Sequence, residues 1–267
     1  MRFIKLFCFL ALMAVPLVAA GKYDETLSWP VLLNGRKLGA LVTAETAMES
    51  QFTIPPGALR DGENSLTILA PPGLDDIEVG PVSIAPKPIH ELLSGATIEV
   101  TVTDAQTNRA MPCRLTLTRP DKTLQPLRAA PEGDVAVRVG VVYTRAGKVT
   151  LSLPPGDYVL HAGRGFEWGV GREALSLNAG EVRRVAFKLR REVSTDGWIA
   201  ADSHIHTLTY SGHGDAKSEE RMLTIAGEGI ELAIATDHNH HTASRYSALP
   251  EAGSLSPSPQ RQRFQKP

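Results

Sequence analysis

Six of the eight histidines, His204, His206, His213, His238, His240 and His241, fall between positions 204 and 241. Neutral imidazole is a good ligand for divalent transition metals, so this density points first to a metal site. His204 and His206 end the run Trp198-Ile199-Ala200-Ala201-Asp202-Ser203-His204-Ile205-His206, which reads as a buried strand with a polar C-terminal end. Side chains alternate faces along a strand, so Asp202, His204 and His206 share one face. Two imidazoles placed so can grip one ion, and Asp202 can orient a ring through its other nitrogen. A second polar cluster, Asp237-His238-Asn239, closes the strand-like run Ile230-Glu231-Leu232-Ala233-Ile234-Ala235-Thr236.

The segment between the clusters has helical signals. Asp215 or Ser218 can cap it, Glu219 and Glu220 occupy its first turn, and Met222, Ile225 and Ala226 make an apolar stripe before Gly227 and Gly229. Strand, helix and strand in this order predict a βαβ unit with parallel strands, which places both clusters at the C-terminal strand ends, where α/β proteins and β/α barrels build their sites.

The wording "DSHIHTLTYSGHGD … GIELAIATDHN" resembles the opening of the PHP (polymerase and histidinol phosphatase) metal-dependent hydrolases, in particular their exported carbaryl-hydrolase-like branch, in which β modules precede the catalytic domain. The resemblance implies that His204 and His206 ligate one metal and His238 a second. It leaves His213 and Asp215 competing for a further ligand position, with His213 preferred, and Asp237 orienting rather than ligating. His240 and His241 lie beyond the motif and read as surface positions. The implied cofactors are divalent Zn, Mn or Fe. The implied reaction is hydrolysis of a small phosphoester, or of a carbamate or amide-like ester, by metal-activated water. The family's other ligands come from later strands of a distorted seven-stranded barrel. After Thr242 this sequence has no His, no Asp and one Glu, Glu251. Residues 244–267 are rich in Ser, Pro, Gln and Arg and read as a disordered tail. The expectation is therefore an incomplete, inactive copy, its barrel lost to a frameshift, premature stop or gene-model error. Residues 196–243 would be the opening fragment of that domain, and residues 198–267 are expected to be poorly ordered alone, or loosely packed on the module before them, because a lone βαβ unit cannot cover its own faces.

Upstream, residues 22–86 contain short apolar runs, Val31-Leu32-Leu33, Phe52-Thr53-Ile54, Leu66-Thr67-Ile68-Leu69 and Ile77-Glu78-Val79, each closed by Asn-Gly, Pro-Gly or Gly-Pro chemistry. "LLNGRKLG … FTIPPGALRDGENSLTI … DDIEVGPVSI" resembles the end of jelly-roll modules appended to carbohydrate-active enzymes. A glycan platform there would use Tyr23, Trp29 or Phe52, although core packing suits each better. Pro86-Lys87-Pro88 reads as a linker. Residues 96–192 show period-two alternation at Ile98, Val100 and Val102, at Leu115 and Leu117, and at Leu151 and Leu153, the mark of half-buried antiparallel strands. Leu153-Pro154-Pro155-Gly156-Asp157-Tyr158 resembles the turn of transthyretin-like, carboxypeptidase-regulatory-type domains. Asn178-Ala179-Gly180 signals a hairpin, and Arg164, Arg172, Arg183 and Arg184 read as a solvated face.

The fold class expected is thus mainly β, two antiparallel sandwich or jelly-roll-like modules, followed by the first βαβ unit of a truncated α/β barrel. Met1 to Ala20 has a basic start, an apolar run and small residues at Val18-Ala19-Ala20, as a cleavable leader does, so the protein is expected in the periplasm or outside the cell. No other apolar stretch reaches the ~20 residues a transmembrane helix needs. Once Cys8 leaves with the leader, Cys113 is alone and reads as a core residue. With 267 residues, 42% of them hydrophobic, and a net charge of −1, the chain has no electrostatic footprint for nucleic acid. Two other readings use the same residues: an exported, non-catalytic β-sandwich protein that binds a glycan or a protein, and a small three-histidine site that buffers metal.

Overall fold

Asn34-Gly35 supplies the two positive-φ positions that a two-residue hairpin with the right strand twist requires. A computed structural model, which describes residues 4–7, 28–42, 46–71, 77–129 and 135–238, puts them at φ 52° and 82°. Strands β1 (Ile4–Phe7), β2 (Ser28–Leu33), β3 (Arg36–Val42) and β4 (Glu63–Ile68) form one antiparallel sheet in the order β1-β4-β2-β3. Buried Asn64 ties it together: Asn34 Nδ2 donates to Asn64 Oδ1 at 2.7 Å, and Asn64 Nδ2 donates to the Arg60 carbonyl at 2.9 Å.

Among the described residues this first module is one four-stranded sheet, without the second layer that a sandwich or jelly roll would have. Phe52-Thr53-Ile54 and Ile77-Glu78-Val79 are not strands. The Phe52 ring instead lies against Gly39, where a Cβ would come within 2.7 Å of it. Trp29 is buried and cannot serve as an exposed sugar platform; Tyr23 lies outside the described residues. Most of the leader expected over 1–20 also lies outside them, and its Ile4–Phe7 pair with β4.

After α1 (Ile89–Leu92) come β5 (Ala96–Asp104), β6 (Cys113–Thr118), β7 (Arg128–Ala129), β8 (Val135–Arg138), β9 (Val141–Thr144), β10 (Lys148–Leu153), β11 (Gly156–Gly163), β12 (Gly171–Leu177) and β13 (Val182–Leu189). They make two sheets, β13-β5-β10-β7 and β12-β11-β6-β9-β8. The period-two residues turn inward between them: Ile98, Val102, Leu151, Leu153 and Leu160 are each 0% exposed. Tyr158 closes the Pro-Pro-Gly turn by donating its hydroxyl to the Pro154 carbonyl at 2.9 Å. Two details depart from the sequence reading. Asn178-Ala179-Gly180 joins β12 and β13 in different sheets, so it is a corner and not a hairpin. In addition, β13 pairs with β5 in parallel, which a purely antiparallel pattern does not predict. Its inward Val185, Phe187 and Leu189 are buried in the shared core.

Cys113 sits in that core, and burial pushes its thiol from 9.0 up to about 12. The folded protein then holds a proton that the unfolded chain releases near its ordinary value. Stability contributed here is full below about pH 9 and is lost as pH rises toward 12. Urea midpoints are expected to fall across that window, and less steeply in Cys113→Ala; identical slopes would contradict the assignment.

The C-terminal unit comprises β14 (Ala201–Ile205), α2 (Leu208–Ser211), α3 (Ser218–Gly227) and β15 (Leu232–Ala235). β14 and β15 pair in parallel with a register shift between Asp202 and Ile205. The expected buried strand from Trp198 is corrected: Trp198 is 80% exposed, and in β14 only Ile205 is buried. A two-stranded sheet has no layer to cover its second face. Neither Asp215 nor Ser218 caps α3 by its side chain; Thr209 Oγ1 accepts from the Ser218 amide at 3.0 Å.

Nor is the unit loosely attached. α3 lies on β6, β8 and β9. There Glu228 Oε1 accepts from Tyr143 Oη at 2.8 Å and from Arg114 Nη1 at 2.7 Å, and Arg138 pairs with Glu220 at 2.5 Å. Arg164, expected on a solvated face, reaches into this seam and donates to the carbonyls of Pro112 at 2.8 Å and Ala226 at 3.0 Å. Among the described residues no helix is long and apolar enough to cross a membrane.

Candidate functional site

Three loops deliver the histidines. His204 lies within β14, one residue before its end, and His206 follows the strand; His213 comes after α2; His238 follows β15. Thr207 starts α2 as its N-cap, accepting from the Tyr210 amide at 3.3 Å, and Gly212 ends that turn in the left-handed region at φ 71°. The chain can therefore reverse tightly and return His213 toward His206.

Ligand atoms of His206, His213 and His238 all lie within 4.8 Å of one another. Ring centroids are 4.8 Å apart for His206 and His213, 4.9 Å for His206 and His238, and 4.9 Å for His213 and His238. His213 Nε2 meets His238 Nε2 at 2.8 Å, and His204 Nε2 meets His206 Nε2 at 2.7 Å. His204 thus flanks the trio through His206. The His204–His206 contact that the spacing suggested is present, and His206 is also gathered with His213 and His238. Lost hydration, then the neighbouring imidazoles, lower the His206 pKa from its ordinary value.

The carboxylates take other roles. Asp202 Oδ1 accepts from the His204 backbone amide at 3.0 Å, not from an imidazole. Asp215 pairs with Arg221 at 2.7 Å, away from the rings. Asp237 is buried, and its Oδ1 accepts from the Thr207 amide at 2.7 Å, Thr207 Oγ1 at 3.0 Å and Ser211 Oγ at 2.8 Å. The metal-capable group among the described residues is therefore all imidazole, a donor set that suits Zn and gives no bridging carboxylate. His240 and His241 lie outside the described residues. Sequence reasoning missed Thr207 and Ser211. A Thr directly after the His-x-His run, at a helix start, was the available signal for the first; the role of Ser211 appears only once α2 has formed.

No family model matches the chain, and no curated protein matches it. Solved structures do. One is a minor pilin of Streptococcus agalactiae, with 16% identity and a TM-score of 0.29 over 39% of this chain and 47% of that one. Another is the major pilin subunit of Bacillus cereus, with 16% identity and a TM-score of 0.26 over 61% of this chain and 54% of that one. A third is the phospholipase PlaB of Legionella pneumophila, with 19% identity and a TM-score of 0.26 over 39% of this chain and 27% of that one. The chain spans about half the length of the two pilins. These likenesses are between β-rich segments, and no activity passes through them.

The comparisons correct the resemblance stated above. Neither a family model nor a curated protein connects the chain to PHP hydrolases, and among the described residues the parallel β14–α3–β15 arrangement is not continued by further strands of its sheet. The hydrolase activity, the ester or phosphoester substrate and the truncated-barrel account fall with it. What the fold shows is a mainly β protein with several antiparallel sheets.

Proposed function

We propose that this is an exported, non-catalytic β-sandwich protein whose C-terminal unit binds one zinc ion through His206, His213 and His238, with His204 beside them. The leader-like start at residues 1–20 supports export to the periplasm or beyond. The observation that carries the metal reading is the convergence of three imidazoles from three separate loops, with ligand atoms within 4.8 Å of one another. Bound zinc would cross-link those loops, so its binding free energy would add to the stability of the unit. An imidazole-only set fits zinc better than manganese, which prefers oxygen donors.

Calorimetric titration of the metal-free chain with zinc tests this. The expected result is one saturable equivalent, with the affinity lost in the variant His206→Ala, His213→Ala, His238→Ala while its circular dichroism is kept. Saturable binding of equal strength in that variant, or none in the wild type, would overturn the reading.

A second reading, contact with a protein partner, is favoured by the apolar side chains around the two-stranded sheet: Trp198 is 80% exposed, Ile199 62%, Leu232 43% and Ile234 44%. Where exposed apolar side chains make a contiguous patch, they mark an interaction surface. Burial of Trp29 weighs against a glycan in the first module.

A further inference from the structure

The Ser211 hydroxyl stands at the centre of the histidine loops with its bonding capacity fully used. Its Oγ lies 2.8 Å from Asp237 Oδ1, 3.2 Å from His206 Nδ1 and 3.2 Å from the His238 backbone nitrogen. A hydroxyl has one proton to give and two lone pairs to offer. The carboxylate of Asp237 can only accept, so the Ser211 proton goes there. The His238 amide can only donate, so it takes one lone pair. The remaining lone pair faces His206 Nδ1, and that contact is a hydrogen bond only if Nδ1 carries the imidazole proton.

We infer that Ser211 is a positioning residue: oriented by Asp237, it fixes neutral His206 as the Nδ1–H tautomer and leaves Nε2, the atom that meets His204, as the nitrogen with a lone pair to offer a metal. The opposite tautomer would set two lone pairs against each other at 3.2 Å. Nε2 is also the atom that meets His204 Nε2 at 2.7 Å, so His204 donates in that contact. The same hydroxyl holds the start of the His238 loop, so one side chain ties together two of the three segments that bring imidazoles to the cluster. Thr207 completes the arrangement from behind by donating both its amide and its hydroxyl to the same Asp237 oxygen. Asp237 thereby acts on His206 at one remove, through a serine that nothing in the His-x-His or Asp-His spacing announces.

The inference deepens the zinc reading above, since it names the ligating nitrogen of His206, but its structural half stands without metal. The test is long-range proton–nitrogen correlation spectroscopy on the uniformly ¹⁵N-labelled, metal-free chain at about pH 8, above the ordinary imidazole range. The expected His206 pattern is pyrrole-like at Nδ1 and pyridine-like at Nε2. Ser211→Ala is expected to shift His206 toward the Nε2–H form and to weaken zinc binding by about 10–100-fold, the usual worth of an outer partner of a ligating histidine. Ser211→Thr keeps the hydroxyl and is expected to restore both, which separates the hydroxyl's role from general damage to α2. A pyridine-like Nδ1 in the wild type, or an unchanged His206 pattern in Ser211→Ala, would overturn the inference. If the tautomer follows Ser211 while zinc fails to bind, the metal reading falls and the positioning role of Ser211 is upheld. If zinc binds while the tautomer ignores Ser211, the reverse holds.

Discussion

Asp237→Ala is expected to open the C-terminal unit while leaving the sandwich folded. Asp237 is 5% exposed, and one of its oxygens takes three donors, from Thr207 twice and from Ser211. Thr207, 0% exposed, has no water to fall back on. Hydrogen bonds to a charged acceptor contribute about 1.5–3 kcal/mol each, and stranding buried donors adds their desolvation cost. A loss of about 3 kcal/mol or more is therefore expected, a large part of the stability such a small unit can have. Hydrogen exchange should report it as lost protection in β14, α2 and β15, with β5, β10 and β11 unchanged. Asp237→Asn keeps one acceptor oxygen and should lose less. Wild-type protection in Asp237→Ala would mean that the hydrogen bonds around Thr207 contribute little.

The second large effect is steric. Gly227, the last residue of α3, lies so near sheet β12-β11-β6-β9-β8 that a Cβ would come 2.5 Å from Tyr143 Cδ1 and 3.1 Å from the Cys113 carbonyl oxygen. A non-glycine residue gains at most about 1 kcal/mol in helix propensity. Forcing atoms into a filled seam costs about 1–3 kcal/mol, so the clash wins, most clearly for a β-branched side chain. Tyr143 cannot swing aside freely, since its hydroxyl donates to Glu228 at 2.8 Å; burial pushes its pKa up to about 12. Gly227→Val is expected to lower the unfolding midpoint and to make Tyr143 titrate closer to its ordinary value of 10.0 as α3 lifts away. An unchanged tyrosine titration would show that α3 does not rest on this face.

These two sites differ in how far the sequence exposes them. Asn34-Gly35, Pro154-Pro155-Gly156 and the alternation through Ile98, Val100 and Val102 are local signals, and the turns and strands they mark are present. Phe52-Thr53-Ile54 carries the same apolar signature yet forms no strand, because packing against Gly39 takes its ring. Strand membership beyond neighbours is equally hidden. Nothing near Asn178 says that β12 and β13 belong to different sheets, since that depends on where the core is left open. At the histidine cluster, spacing revealed the residue types but not the company they keep. His-x-His paired His204 with His206, which do meet, but it did not show that His206 also gathers with His213 and His238. Asp202 looked like a ring orienter by strand alternation, but the register shift between Asp202 and Ile205 turns it to a backbone amide. The same motif suggested a hydrolase family that no comparison supports.

X-ray absorption at the zinc edge, on the full chain loaded with one equivalent, reads the inner coordination shell itself. The account predicts nitrogen scatterers at about 2.0–2.1 Å with the outer-shell pattern of at least three imidazoles. A shell of oxygens without imidazole scattering, or a sulfur shell at about 2.3 Å, would contradict it.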